Sequence, residues 1–464
     1  MKLSLGQIAE ITGGKGDSTH AGAIATGYSI DSRTLQHGDL FFAIHGERFD
    51  GHDYVDAALE RGAVAAVVHA SQAARFGDHR RIIAVPDTLA SLQHLARAVR
   101  RIWNKTVIAI TGSAGKTTTK ESVARLLSAK YRVLKSEGNL NNHYGLPLQL
   151  LRLEPDYDVS VVELGMNHAG EIRALAAICE PNVGVVTCVA PVHLGFFNSV
   201  ADIARAKYEL IQSLPAAGTA VLNADDEYVS QFGRDFSGRV VTFGILHPAD
   251  VRAQAIKELG AEGSEFDVIS GAARAHAKLP LLGRHNLYNA LAATAVALVS
   301  GITLQQAASG LGLLAPADKR GQVLSVGGAT VINDTYNSNP RALDFVVDAL
   351  SGMSVGDGGR RIVVAGEMLE LGPATDELHR RSGAHMADKG IDIVLGVRGA
   401  ARKIVEAAGE AGIRADFVDT PVEAGEWLSR QVRPGDIVLL KASRGVQLEK
   451  ALETWTAKQA TTTS

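Results

Sequence analysis

Residues 111–119 read Thr-Gly-Ser-Ala-Gly-Lys-Thr-Thr-Thr and follow the apolar run Thr-Val-Ile-Ala-Ile at 106–110. A glycine-rich turn between a buried strand and a helix commits the chain to a strand–loop–helix unit, and this one has the chemistry of a phosphate-binding loop. Gly112 and Gly115 allow backbone conformations that turn successive N–H groups toward an anion, and the helix that follows adds the positive end of its dipole. Ser113, Ala114 and Thr118 complete the cradle, Lys116 reaches the outer phosphates, and Thr117 offers a hydroxyl to Mg²⁺. The position five residues before the Gly-Lys pair is Ile110 rather than glycine, so the loop is a shortened Gly-x-x-Gly-Lys-Thr form.

A chain of 464 residues is too long for one ordinary core, and at about 100 to 200 residues per domain it should form three. With 46% apolar and 21% charged residues and a formal charge of -3, it offers no electrostatic case for nucleic acid or for a membrane surface. Cys179 and Cys188 are the two cysteines, without a Cys-x-x-Cys pair, which argues against a disulfide framework or a cysteine metal site. The N-terminus lacks a continuous apolar segment, and the most apolar helical stretch, 290–299, is far below the ~20 residues of a membrane span. A cytoplasmic protein without a signal peptide is expected.

The alternation of apolar runs with turn signals predicts an α/β fold in three domains. Residues 1–104 form a small N-terminal α/β domain, with strands at 63–68 and 82–85 and a helix over 89–103. Residues 105–315 form a doubly wound, mainly parallel sheet around the phosphate loop, with strands at 106–110, 132–135, 159–162, 183–188 and 220–222. Residues 316–464 form a second, Rossmann-like sheet, with strands at 330–332, 361–365, 391–395, 416–418 and 436–440 and helices beginning near Pro340, Thr375, Ala400, Pro421 and Arg444. Gly327-Gly328 and the cluster 356–359 read as turns. A ligand of the central sheet belongs at the carboxyl ends of its strands.

Glu163 closes one such strand, where a carboxylate completes the Mg²⁺ shell begun by Thr117 or else caps the next helix. His193 follows another strand on the same edge and is singled out by position alone. Lys207 lies on a helical segment whose charges read first as a solvated face. Asn286 and Asn289, three apart at the start of an Ala-rich helix, share a face suited to a base edge, although Asn286 could equally cap the helix. The polar run 333–339, closed by Pro340, reads as a binding loop.

Taken together, the shortened phosphate loop, the Glu163 segment, the Pro-Val-His segment ending at His193, Leu-Asn-Ala-Asp-Asp at 222–226 and Gly-Arg-His-Asn-x-x-Asn at 283–289 resemble the Mur ligase family in order and spacing. The resemblance spans almost the whole chain. Segments 138–147 (Gly-Asn-Leu-Asn-Asn-His-Tyr-Gly-Leu-Pro), 163–172 and 336–340 resemble the branch of the family that adds D-alanyl-D-alanine. Where that branch carries Gly-Asp-Met and Lys-Gly-Ser-Arg, this chain has Gly-Glu-Met at 366–368 and Lys-Ala-Ser-Arg at 441–444.

The resemblance implies an ATP-dependent ligase in peptidoglycan precursor synthesis that joins D-alanyl-D-alanine to UDP-N-acetylmuramoyl-tripeptide through an acyl phosphate, acting as a monomer. It implies two Mg²⁺ ions, one held by Thr117 and Glu163 and a second by Glu163, His193 and Lys207 as its carbamate. Lys116 and Arg320 would act on the transferred phosphate, Asn142 on the γ-phosphate or the acceptor carboxylate, Asn289 with Asn286 on adenine, and Asp334 on the ribose. Ser32 and Arg33 would hold the UDP-sugar, and Tyr336, Asn337, Asn339 and Ser443 the dipeptide. The alternatives are a ligase adding a single amino acid and a P-loop nucleotide switch.

Overall fold

The computed structural model describes residues 1–77, 81–192, 194–356 and 358–462. Three main sheets follow one another along the chain. The first has the strand order Lys15–Gly16, Ile82–Val85, Ala65–His69, Asp39–Phe42, Gly27–Ser29, parallel except for its first edge strand. A small two-stranded pair, Leu3–Ser4 with Ile24–Ala25, lies beside it.

The central sheet has nine strands. Seven are parallel, in the order Val251–Glu258, Arg239–Gly244, Thr219–Asn223, Val183–Val186, Thr106–Thr111, Val159–Glu163, Val133–Lys135. The antiparallel hairpin Ser264–Ser270 and Ala273–Leu279 extends the far edge. Sequence pattern does not reveal the four strands between 239 and 279. The last of them, Ala-Arg-Ala-His-Ala-Lys-Leu, alternates buried and exposed positions but buries mostly alanines, whose strand propensity is low.

The third sheet runs Gln322–Val326, Ala329–Asp334, Ile437–Lys441, Arg361–Gly366, Ile393–Val397, Arg414–Val418 and is parallel apart from its first strand. That first strand, absent from the sequence reading, forms a hairpin with the second across Gly327-Gly328, which take φ of +57° and +77°. Such a turn needs residues free to adopt positive φ. The helix expected from Arg444 is instead a single 3₁₀ turn, Arg444–Val446, before the helix Glu449–Thr462, because Gln447 at φ +57° breaks the run.

The first and second sheets share one core. The helix Thr88–Trp103 buries Leu92, Leu95, Val99 and Trp103 in the same cluster as Val107, Leu146 and Leu150. The third sheet packs its two faces in separate clusters. Neither cysteine forms a disulfide, and both are buried. Among the described residues no helix is long and apolar enough to cross a membrane.

Candidate active site

The strand Thr106–Thr111 lies between Val159–Glu163 and Val183–Val186, pairing Ile110 with Glu163 and Thr111 with Val186. Strand order reverses here, which opens a crevice at the carboxyl ends. Three chain segments therefore leave the sheet side by side, carrying the phosphate loop, Glu163 and the stretch from Thr187 onward.

Backbone geometry fixes the glycines of the loop. Gly112 has φ +149°, and a Cβ there would stand 1.8 Å from Thr187 Oγ1; Gly115 has φ +79°, and its Cβ would meet Asn289 Oδ1 at 2.3 Å. The Ser113 amide donates to Cys188 O at 2.8 Å, so it braces the loop rather than facing an anion. Lys116, Thr117 and Thr118 begin the helix Lys116–Leu127, and first-turn amides have no carbonyl partner within a helix. Lys116 Nζ folds back on Gly112 O at 2.9 Å. Burial, with Arg320 adding positive charge, lowers the Lys116 pKa against the pull of Glu163.

Glu163 is 4% exposed, and both of its oxygens are held: Oε2 accepts from Thr117 Oγ1 and Oε1 from Asn141 Nδ2, each at 2.8 Å. Its amide donates to Ser136 Oγ at 3.1 Å. Asn141 is a site residue that the sequence reading passed over for its neighbour. Asn142 Oδ1 accepts from Gly145 N at 2.9 Å and Tyr144 N at 3.2 Å, where the chain enters the helix Gly145–Leu151. The buried carboxylate and adjoining hydroxyl form a hard oxygen pair, the donor chemistry that Mg²⁺ takes.

Lys207, on the helix Val200–Gln212, is 2% exposed and so does not belong to a solvated face. Burial, reinforced by the Lys116 ammonium, lowers its pKa to about 7. As an ammonium it does not suit a metal; as a neutral amine it can become an anionic carbamate. His193 lies outside the described residues.

Asn286 does not cap its helix: Nδ2 donates to Leu282 O at 2.8 Å, and Oδ1 accepts from Asn289 Nδ2 at 2.9 Å. Asn289 Oδ1 in turn accepts from Thr119 Oγ1 at 3.2 Å, which ties this helix to the phosphate-loop helix.

From the third sheet, Asp334 and Lys441 are register partners on adjacent parallel strands, and Lys441 Nζ donates to Asp334 Oδ2 and to Asn337 O. Arg320 lies over the Tyr336 ring at 4.0 Å, with Arg444 at 5.5 Å. Asn339 Oδ1 caps the helix Pro340–Ser351 through Ala342 N at 2.9 Å, and Asn337 Oδ1 accepts from Ser338 N. Ser443 Oγ accepts from Leu369 N at 2.9 Å and donates to Ser338 O at 3.3 Å, so the 336–339 loop and the 366–369 and 441–444 segments meet. Ser32 and Arg33 stand on the first sheet's side, Arg33 forked onto Asp31 at 2.9 and 2.8 Å and Ser32 O accepting from Arg61 at 2.9 Å. No described contact joins them to the phosphate loop. One link from that side is Gln93 Nε2, which donates to His143 O at 3.1 Å beside Asn141 and Asn142.

Family models match in succession along the chain: the Mur ligase family catalytic domain over 25–105, the Mur ligase middle domain over 110–297 and the Mur ligase glutamate ligase domain over 319–444. The UDP-N-acetylmuramoyl-tripeptide–D-alanyl-D-alanine ligase of Bacillus subtilis (strain 168) is 33% identical over 458 residues, covering 98% of each chain. A crystal structure of MurF from Acinetobacter baumannii superposes with a TM-score of 0.89 at 30% identity, over 98% of this chain and 99% of that one. The MurF ligase of Thermotoga maritima in complex with ADP gives 0.83 at 29% identity, over 94% and 99%. With a full-length relative at this identity and three successive domain matches, the chain belongs to the Mur ligase family.

Proposed function

We propose that this chain joins D-alanyl-D-alanine to UDP-N-acetylmuramoyl-tripeptide with hydrolysis of ATP to ADP and phosphate, as a monomer in the cytoplasm. The observation that carries the reading is that Thr117 of the phosphate loop bonds Glu163, while Arg320, stacked on Tyr336, lies close enough to Lys116 to lower its pKa. A triphosphate and an acceptor loop then face one reaction space.

A carboxylate is a poor acyl donor, and phosphorylation gives it a leaving group. The terminal carboxylate oxygen of the tripeptide attacks the γ-phosphorus, and the bond to the β-bridging oxygen breaks to release ADP. The dipeptide amine then attacks the acyl carbon, loses a proton and expels phosphate through a tetrahedral intermediate. Little covalent work falls to the protein, so positioning and charge neutralisation carry the catalysis.

Lys116 and Arg320 stabilise charge on the transferred phosphate, and Asn142 contacts it through its amide. The loop 112–118 wraps the phosphates, Asn289 with Asn286 takes the adenine, and Asp334 takes the ribose. Thr117 and Glu163 would hold one Mg²⁺, and Glu163, His193 and carbamylated Lys207 would hold a second; the ions would supply positive charge to the transferring phosphate. The carbamate forms when the neutral Lys207 amine adds to CO₂ and releases one proton. Residues 1–104 bind the UDP-sugar through Ser32 and Arg33, 105–315 bind ATP, and 316–464 present Tyr336, Asn337, Asn339 and Ser443 to the dipeptide.

The test is coupled phosphate release across a panel of UDP-muramoyl peptides and amine acceptors. Release should require both a UDP-tripeptide and D-alanyl-D-alanine. Equal turnover with a single amino acid would move the chain to another branch, and nucleotide hydrolysis indifferent to both substrates would reject the ligase.

A further inference from the structure

The segment from Thr187 to Val192 lies between the phosphate loop and the C-terminal domain, and it is bonded to both. On the loop side, Cys188 O accepts from Ser113 N at 2.8 Å, Ala190 N donates to Ser113 Oγ at 2.9 Å, and Thr187 Oγ1 donates to Ala114 O at 2.6 Å. On the other side a single ion pair holds both polar groups of Val189. Its carbonyl accepts from Arg341 Nη1 at 2.9 Å, its amide donates to Asp226 Oδ2 at 3.0 Å, and Arg341 stands 3.4 Å from that same carboxylate oxygen.

Arg341 is not needed to keep Asp226 satisfied. The Asp226 carboxylate, 4% exposed, already accepts three backbone amides, those of Val189, Tyr228 and Val229. Nor is Arg341 the sole seam contact, since Gly195 N donates to Glu370 O at 3.2 Å and Leu194 packs on both neighbouring cores. What distinguishes Arg341 is its place in the chain. It is the second residue of the helix Pro340–Ser351, directly after the cap Asn339 that closes the Tyr336–Asn339 loop. Arg341 thus connects that loop, through Val189, to the segment that braces Ser113 and Ala114.

We propose that Arg341 is a positioning residue that couples the acceptor loop to the phosphate loop, so that dipeptide and ATP each tighten the binding of the other. The inference rests on the ligase reading above. A coupling of this kind is reciprocal, and about fivefold is the lower end of what such couplings supply.

The experiment titrates a non-hydrolysable ATP analogue into full-length protein saturated with UDP-tripeptide, with and without saturating D-alanyl-D-alanine. In the wild type the dipeptide should tighten the analogue about fivefold or more. Arg341→Met should abolish that effect while leaving the affinity without dipeptide within about twofold, and Arg341→Lys, which keeps a donor near Val189 O, should retain part of it. In steady state the KM for ATP should become independent of dipeptide concentration in Arg341→Met alone. A wild-type protein without the dipeptide effect, or an Arg341→Met variant that keeps it in full, overturns the coupling. Absence of substrate-dependent phosphate release from the wild type overturns the ligase reading itself.

Discussion

The Arg320 guanidinium lies 4.0 Å from the centroid of the Tyr336 ring, across the face of the loop that closes the third sheet's second strand. Under the proposed mechanism Arg320 is directed at the transferred phosphate, and a flexible arginine at a phosphate works only when its fork is held. The ring supplies that hold, so the aromatic face of Tyr336 matters more than its hydroxyl. Tyr336→Phe should keep most of the activity. Tyr336→Ala should lose about 1 kcal/mol of cation–π orientation, roughly fivefold in kcat, and should also raise the KM for dipeptide, which the ring is proposed to contact. A loss in Tyr336→Phe equal to that in Tyr336→Ala would make the hydroxyl, not the ring face, the group that matters.

The strand–loop–helix at 106–127 was legible because its signals are local: a β-branched run, two glycines and a helix start. Other parallel strands with β-branched runs, such as Val159–Glu163 and Val183–Val186, follow for the same reason, whereas the parallel strands Arg239–Gly244 and Val251–Glu258 do not. Side-chain roles were less legible, since they depend on contacts made across the fold. Segment 138–147 draws notice through its resemblance alone, and only the fold brings Asn141 to the Glu163 carboxylate while Asn142 turns to the amides of Tyr144 and Gly145. Lys207 sits among charges spaced as on any exposed helix, and its burial comes from neighbours far along the sequence.

Asn141 accordingly carries a prediction of its own. Its amide holds Glu163 Oε1, and groups that orient a metal-binding carboxylate typically contribute about tenfold or more to metal affinity. Asn141→Ala should raise the Mg²⁺ concentration for half-maximal phosphate release about tenfold. An unchanged Mg²⁺ titration would leave Asn141 a structural residue.

Lys207 offers a pH test. Burial and the Lys116 charge bring its pKa to about 7, and only the neutral amine adds to CO₂. At fixed dissolved CO₂, reactivation of CO₂-depleted enzyme should rise about tenfold per pH unit below 7 and level off above it. An amine of ordinary pKa would keep rising past pH 9. Lys207→Ala should lose most of the activity and regain part of it with a short-chain carboxylate; full activity in that variant would remove Lys207 from the metal site.

His285 should make stability depend on pH. Its Nδ1 is buried without a hydrogen-bond partner, and its ring stacks on Phe345 at 5.8 Å. Burial, opposed by Asp334 and helped by Lys441, lowers its pKa from 6.5 to about 4. Between those two values the unfolded chain takes up a proton that the folded chain refuses, so this contribution is complete above pH 6.5 and is lost as pH falls toward 4. By pH 5 the loss should be on the order of 2 kcal/mol for the wild type. His285→Leu keeps an apolar surface against Phe345 and removes the titrating group. The difference in unfolding free energy between variant and wild type, measured in denaturant at pH 7 and again at pH 5, should shift in favour of the variant at the lower pH. A difference that stays constant would mean that the folded protein accepts the proton as readily as the unfolded chain.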